Sequence, residues 1–576
     1  MTDNKTDSRD DCALPQTTPL PDRRILLAQK LKAGQVDGHS LVALGLRRLG
    51  VTHVYGISGT PVHETLAECA KSGLRVVGVR HQQAAAMMAA AQNYVSGRLV
   101  AAVILSAGPA ITNAATGILV AFDNGWPLLV LGGRRPLHMR EMGSFQELDG
   151  VAIFRSITKF AGLIDATGKI PESLAHACHV ASSGAPGPVY LDVTEEALQK
   201  SAIAEQVNWP QLQVWAQPID AVALAQAADI LTNAERPAVI IGDGVRWSEP
   251  FAELEQLIAR LNAPFITSPM ARGFLPDDHP LCFNAARSLL LATADVVLAL
   301  GAKLDWTFRY GAEIARGAKL IRLGIAREHI DLNVQPTVGA VGDIKRSLQH
   351  LLSKLDQRLG KPHVANDGWR ASLAAKREAS FDRWKAPAQC DLHLMTPQHL
   401  ILQIRDAIPR DAICVIDGNV IMETAQQLLP NYRPVSRFTP GANGCMGTGV
   451  PFGIGAKVAC PERPVVVISG DLAFGLSVME METAVRLNIP IIVIIANNDG
   501  NAGAIFQQKF YGDAHPDRVT MFAPDIRYDQ IAKVFGGHAE HVERIEQLRP
   551  AFERALASGR PACINVKVDQ YSPLPR

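Results

Sequence analysis

Short apolar runs rich in Val and Ile recur along this 576-residue chain, each followed by an amphipathic or alanine-rich stretch. A run that is apolar at successive positions is buried on both faces, the condition of a parallel strand covered by helices. The pattern predicts an α/β fold built from open parallel sheets. Strands are expected at 52–55, 74–79, 100–106, 127–132 and 188–193, then at 237–241, 295–300 and 320–323, and finally at 413–416, 465–469, 491–496 and 562–568. The breaks between these blocks fall around Trp209–Asp220 and in a charged, strandless stretch from Lys354 to Leu394. The expected organisation is a flexible tail over 1–36, α/β domains over 37–205 and 218–355, a linker over 356–394 and a third α/β domain over 395–576.

Hydrophobic residues make up 47% of the chain and charged residues 20%, which is ordinary for a globular protein. A net charge of +1 gives no global field to attract nucleic acid or an anionic membrane, so neither is expected as a partner. The nine cysteines are scattered with no CxxC pair, which argues against a zinc site or a disulfide framework and fits a reducing cytoplasm. The opening MTDNKTDSRDDCALPQTTPLPDRR lacks an apolar core and reads as a tail, not a signal peptide. The uncharged run from Leu99 to Phe122 is broken by Ser106, Gly108, Pro109, Thr112 and Asn113, so strand, turn and helix are expected there instead of a membrane span.

The strongest chemical signal is VVVISGDLAFGLSVMEMETAVRLNIPIIVIIANNDG, residues 465–500. One strand ends before Gly470-Asp471, a helix is expected over about 476–487, and a second strand ends at Asn497-Asn498. Ligands of open parallel sheets bind off the carboxyl ends of strands, so Asp471 and Asn498 are expected side by side. A carboxylate, an amide oxygen and the Gly500 carbonyl suit a hard octahedral cation such as Mg2+, whose shell is completed by water and phosphate oxygens. The amides of Leu472 and Ala473 can meet the same phosphates at the helix start. Either half alone would be an ordinary strand-end turn.

GD…NNDG resembles the diphosphate-and-magnesium signature of the thiamine diphosphate (ThDP) enzymes of the decarboxylase and acetolactate synthase superfamily. YGISGTP (55–61), VRHQQAA (79–85), SAGPAITNAATGI (106–118), PGANGCMGTGVPFGIGA (440–456) and RPACINVKVD (560–569) fall in the order that family shows. The resemblance covers nearly the whole chain from about Gly38. It implies a pyrimidine-binding domain, a central Rossmann-like domain and a diphosphate-binding domain. ThDP would then lie between two chains, so a homodimer or homotetramer is implied. AARSLLLATADVVLALGAKLDWTFRYG (285–311), PMARGFLPDDHPL (269–281) and SFQELDGVAIFR (144–155) look like the oxalyl-CoA decarboxylase and 2-hydroxyacyl-CoA lyase branch. IFQQKF and PDRVTMF, after Asn498, are nearer to benzaldehyde lyase, a carboligase. DQYSPLPR stands where the acyl-CoA branch continues into a segment that folds over the active site.

ThDP cleaves or forms a bond beside a carbonyl by attacking it with its thiazolium carbon and acting as an electron sink. The resemblance makes Met446 the apolar wedge that bends the cofactor and sets the Gly444 carbonyl and Met446 amide against the pyrimidine edge. Outside the GCMGTG context, Met446 would read as a core methionine. It also implies diphosphate contacts at Gly418 and Asn419. The family's activating glutamate, which shares a proton with the pyrimidine N1′, falls on Gln82. An amide can hydrogen-bond to N1′ but exchanges no proton at neutral pH. Positioned proton transfer contributes typically 10²- to 10⁴-fold, so its loss is worth about 3 to 5 kcal/mol of barrier. Phe145 falls where the acyl-CoA branch carries a substrate-side tyrosine, and Gln146 replaces a neighbouring acid. Val420 and Ile421 stand in place of a polar pair at the diphosphate, and Leu472 in place of a small residue.

These features imply a ThDP- and Mg2+-dependent carbon–carbon lyase or decarboxylase for a 2-hydroxyacyl-CoA or 2-oxoacyl-CoA. The alternatives are a carboligase of free 2-oxo acids or aldehydes and a non-catalytic ThDP-binding protein. The central domain leaves ADP, FAD or no nucleotide open: IIGDGVRW (240–247) is a short GxG without the full dinucleotide fingerprint. Lys303, Arg309, Arg134 and Arg135 could bind phosphate or be isolated surface bases. The apolar helix expected over 83–95 should be buried, in part between subunits.

Overall fold

The computed structural model describes residues 34–210, 217–364, 366–389, 395–512, 514 and 516–572. The expected tail up to residue 33 therefore lies outside the described residues, as do Cys12 and Cys390. The other seven cysteines are free thiols.

Among the described residues nineteen strands form four sheets. In chain order the first block contains β1 (Gln35–Asp37), β2 (His53–Gly56), β3 (Arg75–Gly78), β4 (Ala101–Leu105), β5 (Leu128–Arg134), β6 (Phe160–Ile164), β7 (Pro188–Thr194) and β8 (Ser201–Ile203). Strands β2 to β7 make a parallel sheet ordered β3-β2-β4-β5-β7-β6, and β1 pairs antiparallel with β8. The second block contains β9 (Pro237–Ile241), β10 (Phe265–Thr267), β11 (Val296–Leu300), β12 (Lys319–Gly324) and β13 (Val338–Val341), ordered β10-β9-β11-β12-β13. The third contains β14 (Ile413–Asp417), β15 (Arg437–Phe438), β16 (Val465–Gly470), β17 (Ile492–Asn497), β18 (His538–Val542) and β19 (Ala562–Lys567), ordered β15-β14-β16-β17-β19-β18. The α/β class with three parallel sheets is as expected. In each large sheet the chain starts inside, steps to one edge and then crosses back, so the strand order reverses between the first and third strands. That reversal opens a crevice at the carboxyl ends, where ligands of such sheets bind.

The sequence pattern missed β1, β6, β8, β10, β13, β15 and β18. Each lies at or next to a sheet edge or is three residues or shorter, and β6 and β18 are only partly buried, so two-sided apolar burial does not mark them. The charged stretch after Lys354 is largely helical. Its Asp367–Lys385 helix sinks Trp369 and Leu373 against the central sheet and Trp384 against the third. The helix expected over 476–487 is two pieces, Asp471–Gly475 and Glu480–Arg486, because the chain turns between Leu476 and Met479.

The Gln82–Ser96 helix is buried from Ala84 to Val95 within its own chain. It packs along the Gly449–Ala459 helix of the third block. At Gly455 an added Cβ would stand 2.3 Å from the Met88 carbonyl oxygen, so glycine is what lets the two backbones meet. Arg246, 3% exposed, donates from Nε to Tyr94 O and from Nη2 to Val95 O, both at 2.9 Å, and so satisfies carbonyls at the end of that helix. The Tyr94 ring stacks on Trp126 at 4.8 Å and meets Trp247 and Phe438 edge-on, while Trp126 packs on Phe452 at 5.1 Å. These five rings come from all three blocks. Among the described residues no helix is long and apolar enough to cross a membrane.

Candidate active site

The order of the third sheet reverses between β14 and β16, and the carboxyl ends of β14, β16 and β17 together frame a cleft of about 390 Å³. Gly418, Asn419, Met446, Asp471, Leu472, Ala473, Asn498 and Gly500 all line it. Gly418 takes φ +106°, and a Cβ there would come 3.0 Å from Gly470 N. The left-handed turn and the close approach both require glycine. Val420 and Ile421 complete the wall, so that side is apolar where a polar pair would have held oxygens.

Asp471, 2% exposed, accepts from Gly500 N through Oδ2 at 2.9 Å and from Leu472 N through Oδ1 at 2.7 Å. The Leu472 amide is therefore committed to its own neighbour and not free for phosphate. Burial pushes the Asp471 carboxyl up to about 6 against the pull of these backbone donors. The Asn498 side-chain amide lies 2.9 Å from the Gly500 carbonyl oxygen. A carboxylate, a side-chain amide and a backbone carbonyl brought to one cleft are oxygen donors of the hard kind that Mg2+ takes. With the amide turned, its nitrogen would donate to Gly500 O and its oxygen would accept from Gly503 N at 3.1 Å. A Cβ at Gly500 would stand 2.4 Å from Thr520 O, which fixes glycine at the carbonyl that faces the site. Among the described residues no group of three His, Cys, Asp or Glu side chains converges as a metal site, and the oxygen donors around the cleft include Asp471, Asn498 and Gly500. Asp499 is spent elsewhere, accepting from Lys567 Nζ at 2.8 Å and Gln570 Nε2 at 2.9 Å.

The residues also fit a diphosphate with a bent ring system above it. Met446 lines the same cleft, while Gly444, at φ +62°, lines a second and larger cleft of about 1190 Å³. The loop carrying Gly444 is tied down on both sides: Trp306 Nε1 donates to Ala442 O at 2.7 Å, and Asn443 N donates to Asp123 Oδ2 at 2.9 Å. Below it lies Asp417, which sequence reasoning did not single out. It is fully buried and accepts from Gly418 N and Gly449 N, both at 2.7 Å. It thus ties the turn at Gly418 to the start of the helix at Gly449 that follows GCMGTG.

Gln82 begins the Gln82–Ser96 helix, whose N-cap is His81. Within one chain it does not line the cleft of Asp471 and Asn498. Its Oε1 accepts from Asn113 Nδ2 at 3.1 Å. The backbone just before it is clamped by Glu480, 1% exposed, whose carboxylate accepts from Arg80 N at 3.1 Å, His81 N at 3.0 Å and Thr483 Oγ1 at 2.7 Å. Burial raises the Glu480 carboxyl. Glu480 also escaped sequence reasoning, since its partners lie about 400 positions away. Phe145 is 70% exposed on an irregular segment. Its neighbour Gln146 packs on Gly108, where an added Cβ would meet Gln146 Cβ at 2.8 Å, so this segment borders the loop that leads to Asn113.

The larger cleft sits at the reversal of the central sheet, between β9 and β11, with Asp243, Lys303 and Trp306 on its walls. The glycines of IIGDGVRW serve packing: a Cβ on Gly242 would stand 2.3 Å from Ala302 Cα and one on Gly244 2.9 Å from Gly301 O. The four bases considered for phosphate have acceptors of their own. Lys303 Nζ donates to Asp123 O at 2.9 Å, Arg134 pairs with Asp192 at 3.0 Å, Arg135 with Glu195 at 2.7 Å and Arg309 with Glu313 at 3.7 Å.

Comparison with known families matches three segments of the chain: the N-terminal TPP binding domain of thiamine pyrophosphate enzymes over residues 36–153, their central domain over 224–351, and their C-terminal TPP binding domain over 418–566. Among similar proteins, 2-hydroxyacyl-CoA lyase 1 of Homo sapiens is 30% identical over 556 residues, 93% of this chain and 95% of the relative. Oxalyl-CoA decarboxylase of Escherichia coli is 31% identical over 544 residues, covering 92% and 95%. An acetolactate synthase large subunit of Mycobacterium tuberculosis is 33% identical over 556 residues, covering 95% and 98%. With the matched domains in this order and a cleft that suits diphosphate and cation at the third, the chain belongs to the thiamine pyrophosphate (thiamine diphosphate-dependent) enzymes, in the group of lyases, decarboxylases and acetolactate synthases.

Proposed function

We propose that this chain is a ThDP- and Mg2+-dependent carbon–carbon lyase or decarboxylase of 2-hydroxyacyl-CoA or 2-oxoacyl-CoA substrates, with Gln82 in place of the activating glutamate. The convergence of the Asp471 carboxylate, the Asn498 amide and the Gly500 carbonyl on one cleft carries the reading. Bound ThDP would supply the electron sink for cleavage beside a carbonyl. Asp471, Asn498 and Gly500 would hold Mg2+, Gly418, Asn419 and Ala473 would border the diphosphate, and Met446 would wedge the two rings apart. Gly444 would meet the pyrimidine edge, Gln82 would meet N1′, and Phe145 would face the substrate from the rim without offering it a proton. The chain would work in the cytoplasm as a homodimer or homotetramer. Similarity to 2-hydroxyacyl-CoA lyase and oxalyl-CoA decarboxylase supports the acyl-CoA class.

Calorimetric titration with ThDP, with and without Mg2+, tests the cleft directly. The native chain should bind ThDP tightly only with Mg2+, and Asp471→Ala should lose at least about a hundredfold, because a metal site stripped of its one carboxylate keeps only neutral oxygens. Equal binding without Mg2+, or by Asp471→Ala, would refute the site. Similarity to acetolactate synthases at 33% identity supports a second reading, carboligation of free 2-oxo acids. A substrate panel separates the two: turnover restricted to CoA thioesters supports the first, and turnover of pyruvate or benzaldehyde the second. Hydrogen–deuterium exchange at C2 of bound ThDP no faster than in free cofactor, with no turnover on the panel, would favour a non-catalytic ThDP-binding role.

A further inference from the structure

Gln82 follows β3 and Asn113 follows β4, the two strands that flank β2, so both residues stand on the same carboxyl rim of the first sheet. Their spacing is fixed from below. The Ala115–Asn124 helix lies so close to the start of the Gln82–Ser96 helix that a Cβ on Gly117 would stand 2.5 Å from Gln83 O. On this base Asn113 Nδ2 donates to Gln82 Oε1 at 3.1 Å. An amide pair is directional: with its oxygen turned to Asn113, Gln82 presents its NH2 group on the other side, and among the described residues the Asn113 contact is the one hydrogen bond its side chain makes.

We infer that Asn113 is a positioning residue that turns the Gln82 amide into a hydrogen-bond donor, so that the cofactor nitrogen it meets is held unprotonated. The inference rests on the ThDP reading above and deepens it. A pyrimidine N1′ without its proton is an acceptor, and a donor facing it stabilises the neutral form and lowers its basicity. A glutamate would act in the opposite sense, sharing a proton with N1′. The substitution at Gln82 is therefore more than a missing acid, because Asn113 sets the replacement against protonation.

The test uses the Mg2+-loaded full chain and ThDP labelled with 15N at N1′, with the N1′ chemical shift followed against pH. In the native chain the midpoint of N1′ protonation should lie about one pH unit or more below that of free cofactor, the worth of one hydrogen bond to the neutral form. Asn113→Ala frees the amide and should bring the midpoint back towards the free value. Asn113→Asp offers Gln82 only acceptors, turns its oxygen towards N1′, and should lift the midpoint to or above the free value. A native midpoint at or above that of free ThDP, or an Asn113→Asp midpoint equal to the native one, overturns the inference while the cofactor reading stands. Absence of any bound N1′ signal overturns both.

Discussion

Replacing Gly455 by alanine adds one carbon where the Gly449–Ala459 helix meets the Gln82–Ser96 helix. That carbon would sit 2.3 Å from Met88 O and 3.0 Å from Ala91 Cβ. The first distance is roughly 1 Å inside ordinary van der Waals contact, and the obstructing atom is helical backbone that cannot swing away. Overpacking of this kind costs about 1–3 kcal/mol, while alanine regains up to about 1 kcal/mol of helix propensity over glycine, leaving a net loss of up to about 2 kcal/mol. In urea this should lower the first unfolding midpoint by roughly a few tenths of a molar. Gly368→Ala is the control: it also lies in a helix, but its nearest neighbour would be Asn366 Oδ1 at 3.9 Å, so its midpoint should stay or rise. Parting the helices also displaces the end that carries Gln82, so affinity for ThDP should fall with stability. If Gly455→Ala and Gly368→Ala show the same midpoint, the close approach of the two helices is refuted.

Asp417 gives a pH-dependent prediction. Burial pushes its carboxyl up from 3.8 to about 6, so the folded chain binds this proton more tightly than the unfolded one. Its contribution should be most favourable below about pH 4 and fall by roughly 3 kcal/mol as pH rises to about 6, then stay level. Urea midpoints of the cofactor-free protein at pH 5 and pH 7 should therefore differ less in Asp417→Asn than in the native chain, and an unchanged difference would sink the idea. Glu480→Ala should cost about 2–4 kcal/mol, since it leaves Arg80 N and His81 N without their acceptor, whereas Glu480→Gln should retain part of the loss. Thermal unfolding of the two variants checks this, and a melting temperature unchanged in Glu480→Ala would contradict the clamp.

The sequence revealed what is encoded locally. Central strands such as VVLAL and IVIIAN are apolar on both faces and declare themselves, whereas edge strands such as FAGLI and HAEHV are half solvated and do not. The apolar period continues past Gly475, so the break before Glu480 left no trace in the pattern. At the site, Asp471 and Asn498 could be foreseen as neighbours because both stand at strand ends of one sheet. Asp417, Glu480 and Asn113 could not. Their importance lies in which backbone amides and side chains they meet, at Gly449, at Arg80 and His81, and at Gln82, and those partners come from other elements.

The five-ring cluster around Tyr94 and Trp126 bears on how substrate enters. Because the rings interlock across three domains, a hinge motion of any one domain would pull aromatic faces apart and expose about 150–250 Å² per ring to water. At about 25 cal/mol per Å², opening even two rings would cost several kcal/mol, so fewer than one molecule in a hundred would be open at any moment. Admission to the cleft therefore belongs to local movement of surface segments, while the domains themselves stay locked as one block.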